Sequence, residues 1–375
     1  MIMKKILHYV SKMNRAGQET FIMNMYREID KSKFQFDFLL SDNSPGQYDN
    51  EILKKGGKLF YIDLNKNGHF KALKNYFLLR RKLYLLAKKE DIFYIHNHHA
   101  FDAYLSARAA LKAGFKKVIV HSHSDSAEYH RWLSRLFRPL LSHLPVIEIA
   151  ASEPAGKWLF SNDKFKIIKS GIKTENFLYN KQSRNEIRKK LNIEDDLVVG
   201  NVGRFVPLKN HIFLIEVFKY INDKIPNSVL LLIGDGNEEQ SIKEKVEKMG
   251  LDNKVIFLGS KGDVEKYYQA MDIYVFPSLF EGLGMTIIEA ETAGLPCFIS
   301  SVIPEEVNIS PLVYRYSLKE TPESWANKII LNINKAKDVD RINTSYKVQK
   351  KAVDLGLDIN ETCKEMEQIF LDPKI

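Results

Sequence analysis

The chain has little of what secreted and membrane-spanning proteins depend on. Its 375 residues include only two cysteines, Cys297 and Cys363, which lie far apart and lack the spacing of a metal site. We expect two thiols in a reducing, cytoplasmic compartment rather than a disulfide framework. The apolar run after Lys4 and Lys5 ends at Val10, so it is too short for an export signal and fits a buried strand. No apolar run is long enough to span a bilayer.

Charge is divided unequally between the two halves of the chain. Residues 1–170 hold 29 lysines and arginines against 16 acidic residues, a net charge of +13. Residues 171–375 hold 27 against 31, a net charge of −4. We therefore expect the halves to meet different surfaces, the first of them anionic. Nucleic acid is not the expected partner, because no base-stacking or groove-reading module is visible.

Short β-rich runs alternate with longer amphipathic runs along the whole chain. Phe34, Phe36, Phe38 and Leu40 alternate as residues of a strand do. Strict alternation of strand and helix predicts parallel sheets with helices on both faces. The pattern predicts an α/β fold of two Rossmann-like domains, with strands at 4–10, 34–40, 58–62, 92–95, 118–121 and 146–149, then 197–202, 229–233, 255–258, 273–276, 296–299 and 312–314.

The boundary between the two domains is expected near 169–185, where a polar stretch follows Gly171. This places a first domain at 1–170 and a second at 171–355. The remaining segment, 356–375, is expected to be a helix that packs back toward the first domain. The main helices between strands are predicted at 19–29, 70–90, 102–113, 128–142, 210–223, 238–249, 285–293 and 341–355, and further helices are expected to fill the remaining gaps of the second half.

Two cations follow one predicted strand of the second half. Gly203 and Arg204 come directly after the strand, and Lys209 comes at the start of the next helix. A guanidinium fork, a point charge and free helix N–H groups suit a diphosphate. The alternative is a polar loop with two solvated cations.

Two glutamates, Glu281 and Glu289, stand eight positions apart after the strand at 273–276. Gly282 and Gly284 leave backbone N–H groups open to a ligand at the start of a helix. Glu289 lies in an apolar stretch, where a carboxylate needs a partner, and sugar hydroxyls supply one. The alternative is a helix cap at Glu281 and an exposed Glu289.

Together these residues resemble the E-x7-E motif of retaining glycosyltransferases of family 4, also called group 1. The resemblance extends to 155–160 and 293–296 and points to the branch that builds bacterial capsular and exopolysaccharides. It implies the GT-B fold, with two parallel sheets facing across a cleft. It also implies a nucleotide-sugar donor, with uridine as the base, and a glycan or polyprenyl-diphosphate-linked acceptor. No cofactor and no metal are expected.

The resemblance assigns a role to each motif residue. Arg204 and Lys209 would bind the donor diphosphate, and Glu289 the ribose hydroxyls. The donor sugar would be held by Glu281 together with backbone N–H groups. Further N–H groups would face phosphate, and the backbone after the strand at 255–258 would contact the base. The N–H groups that hold the sugar would be those of Gly282, Leu283 and Gly284, and those that face phosphate would be Met285 and Thr286. The backbone that contacts the base would be that of Gly259, Ser260 and Lys261.

In the first domain the resemblance implies contacts from a glycine and a histidine. Gly17 would let backbone approach the donor phosphate; a plain helix-start turn is the alternative. His121, after its strand, would contact the sugar and the reacting centre, with His123 as second choice. A metal-hydrolase motif at 121–125 is not favoured, because Ser126 stands where a histidine is required. His96, His98 and His99 are expected to pack or to line the cleft.

Two further segments carry weaker patterns. Gly234-Asp235-Gly236 is expected to form a tight turn beside the donor rather than a dinucleotide fingerprint. The helix at 70–90 combines lysines and arginines with leucines and phenylalanines, and 131–138 repeats that composition. Such helices favour an anionic membrane surface, so we expect a peripheral protein at the inner face of the cytoplasmic membrane. The alternative is a helix whose apolar side only packs on the sheet.

Two other functions fit the same fold. A sugar-nucleotide epimerase would use the nucleotide sugar without an acceptor, and the basic first half argues against it. A non-catalytic partner subunit would be expected to lack some donor residues, yet His121, Arg204, Lys209, Glu281 and Glu289 are all present.

Overall fold

The computed structural model describes residues 3–64, 71–90, 92, 94–97, 103–123, 137–336 and 340–372. The chain forms two compact units. Unit 1 comprises residues 1–171 together with 359–375, and unit 2 comprises residues 172–358. The chain therefore passes from the first unit to the second between Gly171 and Ile172.

Unit 1 is built on a seven-stranded sheet whose strands pair in parallel, in the order β3-β2-β1-β4-β5-β6-β7. The central strands are buried because helices cover both faces. The strands are β1 Lys4–Val10, β2 Phe34–Leu40, β3 Leu59–Tyr61, β4 Tyr94–Asn97, β5 Lys117–Ser122, β6 Ile147–Ala150 and β7 Lys166–Ile167. The helices are α1 Gly17–Glu28, α2 Asp49–Lys54, α3 Lys71–Glu90, α4 Ala103–Lys112 and α5 Glu153–Leu159.

Unit 2 is built on a second parallel sheet, of six strands, in the order β10-β9-β8-β11-β12-β13. Its strands are β8 Leu197–Val202, β9 Ser228–Ile233, β10 Val255–Gly259, β11 Ile273–Phe276, β12 Cys297–Ser300 and β13 Val313–Tyr316. Its helices are α6 Lys181–Leu191, α7 His211–Lys224, α8 Glu239–Lys248, α9 Val264–Ala270, α10 Met285–Thr292, α11 Pro322–Ala336 and α12 Arg341–Asp354.

The last helix, α13 (Ile359–Leu371), belongs to unit 1. Its apolar face, which includes Met366 and Phe370, joins the core formed around Phe34 and Phe36. The buried Lys117 ammonium donates to the Ile369 carbonyl at 2.6 Å, near the C-terminal end of this helix. A cation there complements the negative end of the helix dipole.

Both predicted sheets are present, and most strand bounds agree with the sequence pattern to within two residues. The structure adds β7, α2 and α5, which the sequence did not indicate. The predicted helix at 128–142 is described only from residue 137, and residues 137–141 are helical.

Each sheet reverses its strand order at one place, called its switch point. The switch point lies between β1 and β4 in unit 1 and between β8 and β11 in unit 2. In open parallel sheets, ligands bind outside the carboxyl ends of the strands at this point. The loops after β1, β8 and β11 are therefore where functional residues are expected.

Candidate active site

In unit 2 the loops that follow β8 and β11 are joined by hydrogen bonds. The Leu279 N–H donates to the Leu208 carbonyl at 2.8 Å, and the Ser278 hydroxyl reaches the same carbonyl at 2.9 Å. The Asn210 amide donates to the Pro277 carbonyl at 3.1 Å. These bonds fix the loop that carries Arg204 and Lys209 against the loop that carries Glu281.

Lys209 and Glu281, predicted for different parts of the donor, form an ion pair. The Lys209 Nζ lies 2.5 Å from the Glu281 Oε1, and Ser278 donates its hydroxyl to the same oxygen at 2.7 Å. The ammonium also lies 5.0 Å from the centre of the Phe276 ring. The side chains are only 21% and 10% exposed, so this cation is held in place at the switch point. Arg204 is exposed on the same loop.

The helix α10 begins beside this pair. Gly284 precedes it in the left-handed conformation, with φ of 76°, and carries no side chain to cap it. The first N–H groups of the helix, at Met285 and Thr286, point outward at its positive end. This arrangement suits an anion such as a phosphate.

Glu289 lies one turn further along α10 and is buried, with 7% of its surface exposed. The Tyr268 hydroxyl of α9 donates to its Oε2 at 2.8 Å. Burial raises the pKa of Glu289 to about 7, an effect that the Tyr268 hydrogen bond partly offsets. A buried carboxyl group with a shifted pKa beside a switch point is a candidate functional group.

The other residues predicted for the donor site lie on neighbouring loops at the carboxyl ends of the unit 2 strands. Gly234 follows β9 with φ of 149°, and a Cβ there would lie 1.9 Å from the Gly203 carbonyl oxygen. Its N–H donates to the Gly259 carbonyl at 3.1 Å. The predicted tight turn at 234–236 is not found, because the turn before α8 lies at 237–238. The 234–236 segment is instead packed between the loop that begins at Gly203 and the 259–261 loop. Ser260 and Lys261 continue that loop and are half-buried.

In unit 1 the switch point is marked by Gly17, the first residue of α1. A Cβ added to Gly17 would meet nothing within 4 Å among the described residues. Among the described residues, therefore, no neighbouring atom requires glycine at this position.

The strand β5 continues through Ser122, one residue beyond its predicted end, so His121 lies inside the strand and is fully buried. Its Nδ1 lies 3.1 Å from the Nε2 of His96, and its ring stacks on His123 at 3.9 Å. His123 follows the strand directly and is half-buried. Burial lowers the pKa of His123 to about 3, so its ring is neutral at physiological pH. The structure thus places His123, the second choice, at the strand end.

His96 is buried and serves packing, whereas His98, His99, Asp125 and Ser126 lie outside the described residues. Within the described ranges, no group of three or more histidines, cysteines or carboxylates is arranged to hold a metal ion.

A cavity of about 460 Å³ in unit 2 lies where β8, β11 and β12 begin. Its lining includes Arg184, Arg188 and Arg341. Their guanidinium groups donate to backbone carbonyls at the end of α9 and to Asp272. Because these donors serve the protein itself, this cavity is structural and lies at the sheet edge opposite the candidate site.

The sequence did not identify three residues that shape the site: Ser278, Phe276 and Tyr268. Ser278 lies two residues after the strand at 273–276, and that position was the available signal. Phe276 ends the apolar run of that strand, where an aromatic residue indicates core packing. Tyr268 stands in a mixed polar and apolar segment, 264–272, that carries no distinguishing signal.

Comparison with known proteins agrees with this geometry. Residues 183–348 match the family model of group 1 glycosyl transferases, and residues 15–176 match that of glycosyltransferase family 4. The putative glycosyltransferase EpsF of Bacillus subtilis is 36% identical over 340 residues, covering 87% of each chain. The capsular polysaccharide biosynthesis glycosyltransferase CapH of Staphylococcus aureus is 25% identical, covering 98% of this chain and 99% of its own.

Two further similarities concern a galactosyltransferase and a solved structure. The Escherichia coli enzyme UDP-Gal:alpha-D-GlcNAc-diphosphoundecaprenol alpha-1,3-galactosyltransferase is 31% identical over 59% of this chain and 60% of its own. The crystal structure of Anabaena HepE in complex with UDP and glucose superposes with a TM-score of 0.77, at 17% identity, over 98% of this chain and 99% of that one. The structural likeness confirms the predicted GT-B fold. The identity shared with EpsF over most of both chains shows that this protein belongs to the group 1 glycosyltransferases of family 4.

Proposed function

We propose that this glycosyltransferase moves a sugar from a UDP-sugar to a glycan or lipid-linked glycan in cell-surface polysaccharide synthesis, with retention of configuration and without a metal. The observation that carries the proposal is the pairing of Lys209 with Glu281 at the switch point of unit 2. Arg204, the start of α10 and the buried Glu289 complete a donor site around this pair. UDP and the polysaccharide are supported by HepE, solved with UDP, and by CapH.

The proposed reaction breaks the bond between the sugar C1 and the donor phosphate oxygen, and UDP departs. Arg204, Lys209 and the N–H groups of Met285 and Thr286 stabilise the charge that develops on the phosphate. The sugar passes through an oxocarbenium-like state. An acceptor hydroxyl attacks from the face that UDP leaves, and its proton goes to the departing phosphate. Glu281 leaves Lys209 to hold the sugar hydroxyls.

Unit 1 would supply the acceptor site and two donor contacts, Gly17 and a histidine. His123 is the better candidate for that histidine, because His121 is enclosed within β5. The Escherichia coli galactosyltransferase acts on a diphosphoundecaprenol-linked sugar, which supports a lipid-linked acceptor.

A lipid-linked acceptor would require the protein to reach a membrane. No helix in the described ranges is long and apolar enough to cross one, so we propose peripheral contact at the cytoplasmic face through α3. One side of α3 is buried through Leu79, Leu83 and Leu86. The opposite side exposes Leu73, Phe77, Leu78, Tyr84 and Leu85 among Lys74, Arg80, Arg81, Lys88 and Lys89.

The test is nucleotide release from a panel of UDP- and GDP-sugars, with and without a polyprenyl-diphosphate-linked acceptor. We expect UDP release that depends on the acceptor, together with a product that retains the donor's anomeric configuration. A new nucleotide sugar formed without any acceptor would indicate an epimerase. Binding of a UDP-sugar with no turnover of any acceptor would favour a non-catalytic subunit.

Metal independence is tested in the same assay with excess EDTA. Because protein cations and helix N–H groups neutralise the leaving phosphate, we expect turnover to persist. Loss of turnover in EDTA and its recovery with Mn²⁺ or Mg²⁺ would show that the phosphate site is wrongly assigned.

A further inference from the structure

We propose that Tyr268 is a positioning residue of the donor site, whose hydroxyl holds the Glu289 carboxylate in the orientation that binds the ribose. This inference rests on the proposed function, because it assumes that a nucleotide occupies the site. Tyr268 does not contact the nucleotide itself. It acts through Glu289.

The geometry of α9 and α10 supports this role. Tyr268 is fully buried in α9, and its Oη lies 2.8 Å from the Glu289 Oε2 and 3.1 Å from the Thr286 carbonyl oxygen. The shorter contact is to the stronger acceptor, so the hydroxyl proton points to the carboxylate. The Oε2 of Glu289 is thereby held by the Tyr268 hydroxyl.

A second buried tyrosine extends this network to the phosphate loop. The Tyr274 hydroxyl of β11 donates to the Val202 carbonyl at 3.1 Å and lies 3.0 Å from the Thr286 hydroxyl. Val202 directly precedes Gly203 and Arg204. The two phenols thus connect the end of β8 with the first turn of α10, where ribose and phosphate would both be bound.

The network also determines when Glu289 is ionised. Burial raises its pKa, and the negative charge of Glu265 on α9 acts in the same direction. The Tyr268 hydrogen bond lowers its pKa. Tyr274 of β11 also interacts with Glu289, and Cys297 of β12 interacts with both tyrosines. Burial raises the pKa of Tyr274 and of Cys297, so both are neutral at physiological pH. Removal of the Tyr268 hydroxyl should therefore delay ionisation of Glu289 to higher pH.

The experiment is calorimetric titration with UDP between pH 5.5 and 9.0, using wild type, Tyr268→Phe, Tyr274→Phe and Glu289→Gln. The pH dependence of UDP binding to Glu289→Gln reports the titration of UDP itself, and it is subtracted from the curves of the other proteins. The plot of log affinity against pH should bend at the pKa of Glu289. In Tyr268→Phe we expect this bend to move up by about one pH unit, because a hydrogen bond to a charged group is lost. At pH 7 the ionised fraction of Glu289 falls from about one half to about one eleventh, so the affinity should fall roughly fivefold. Tyr274→Phe removes an equal hydroxyl from the same core but not the one on Glu289, so its bend should stay at the wild-type pH.

A bend at the wild-type pH in a folded Tyr268→Phe variant would overturn the inference while leaving the donor site intact. Failure of wild type to bind UDP at all would instead refute the proposed function, and the inference with it. If Tyr268→Phe does not fold, site-specific 3-fluorotyrosine at position 268 replaces it. That hydroxyl is a stronger donor, so the bend should move to lower pH, and no movement would again overturn the inference.

Discussion

At the scale of single residues, the candidate site contains two carboxylates, each held by neighbouring side chains. Glu281 is held by Lys209 and Ser278, and Glu289 by Tyr268. None of these contacts involves a distant surface charge, so each carboxylate is satisfied locally before a donor arrives. The donor sugar and ribose hydroxyls would replace or share these hydrogen bonds.

Glu289→Gln is expected to weaken UDP binding in a pH-dependent way. At pH 8 wild-type Glu289, with a pKa of about 7, is largely ionised and accepts strong hydrogen bonds from the ribose. Loss of a charge-assisted bond costs about 1.5–3 kcal/mol, roughly a tenfold to hundredfold loss of affinity. At pH 6 the wild-type group is itself protonated, so the two proteins should differ little. Isothermal titration with UDP at both values measures the effect.

Glu291→Gln is the matched control, because Glu291 is buried two residues further along the same helix. It accepts the backbone N–H groups of Ile309 and Ser310 at 3.0 and 2.6 Å, away from the proposed ribose position. We expect this variant to bind UDP with wild-type affinity. Unchanged UDP affinity in Glu289→Gln at pH 8 would contradict the ribose assignment.

The sequence identified a site residue where its polar side chain contrasted with the apolar residues of a neighbouring strand. Arg204, Lys209 and Glu281 are charged residues in loops that follow buried strands, and such positions indicate function. Tyr268 could not be recognised, because it stands in a mixed polar and apolar segment, 264–272, with no motif around it. The strand β5 continues to Ser122, which encloses His121 and leaves His123 at the strand end; the choice between the two histidines stays a prediction.

At the scale of helices and strands, periodicity predicted the long elements well. Strands β1, β2, β8 and β11 have the predicted bounds, because apolar residues, most of them buried, make up most of each strand. The missed elements are short: α2 spans six residues and β7 two. Neither is long enough to show a helical or strand period, and contacts made by the folded unit determine them.

The exposed side of α3 leads to a prediction about membranes. An anionic leaflet attracts each nearby lysine or arginine by about 1 kcal/mol, and exposed Leu73 and Phe77 add apolar contact. We therefore expect the protein to co-sediment with phosphatidylglycerol-containing vesicles at low salt. It should be released near 1 M salt, where the screening length is about 3 Å.

Changing Arg80, Arg81 and Lys82 together to glutamate should abolish this sedimentation and leave UDP affinity intact. The matched control changes Lys181, Lys189 and Lys190 of α6 to glutamate, which alters net charge equally on exposed residues of unit 2. That control should still bind vesicles. Equal loss in both triple variants would mean that only net charge matters, and no binding by wild type would mean that α3 is a solvated surface.

At the scale of the whole molecule, the two units are expected to respond to pH in opposite directions. In unit 1, burial lowers the pKa of His8 and His123 to about 3 and holds those of His96 and His121 well below 6.5. The unfolded chain binds protons at these groups below about pH 6.5, whereas the folded unit does not. Unit 1 therefore loses stability as pH falls below that value.

In unit 2 the sign is reversed. Burial raises the pKa of Glu289 to about 7 and that of Glu291 to about 8, so the folded unit keeps protons that the unfolded chain releases above about pH 4.5. Each such group lowers the free energy of unfolding by at most about 1.4 kcal/mol per pH unit until its folded pKa is reached. His211 of α7, whose pKa burial lowers to about 4, acts in the opposite direction below about pH 6.5. The two glutamates act over a wider range of pH, so unit 2 should still be more stable at pH 5.5 than at pH 8.5.

Hydrogen exchange followed by mass spectrometry can measure both units in one sample, after correction for the intrinsic effect of pH on exchange. Between pH 8.5 and 5.5, protection should fall in peptides from β1 and β5 and rise in peptides from β9 and β12, because these strands report unfolding of their own unit. Glu291→Gln cannot release the proton, so it should flatten the response of unit 2 without altering that of unit 1. If both units instead lose protection together on acidification, burial of the two glutamates does not control the stability of unit 2.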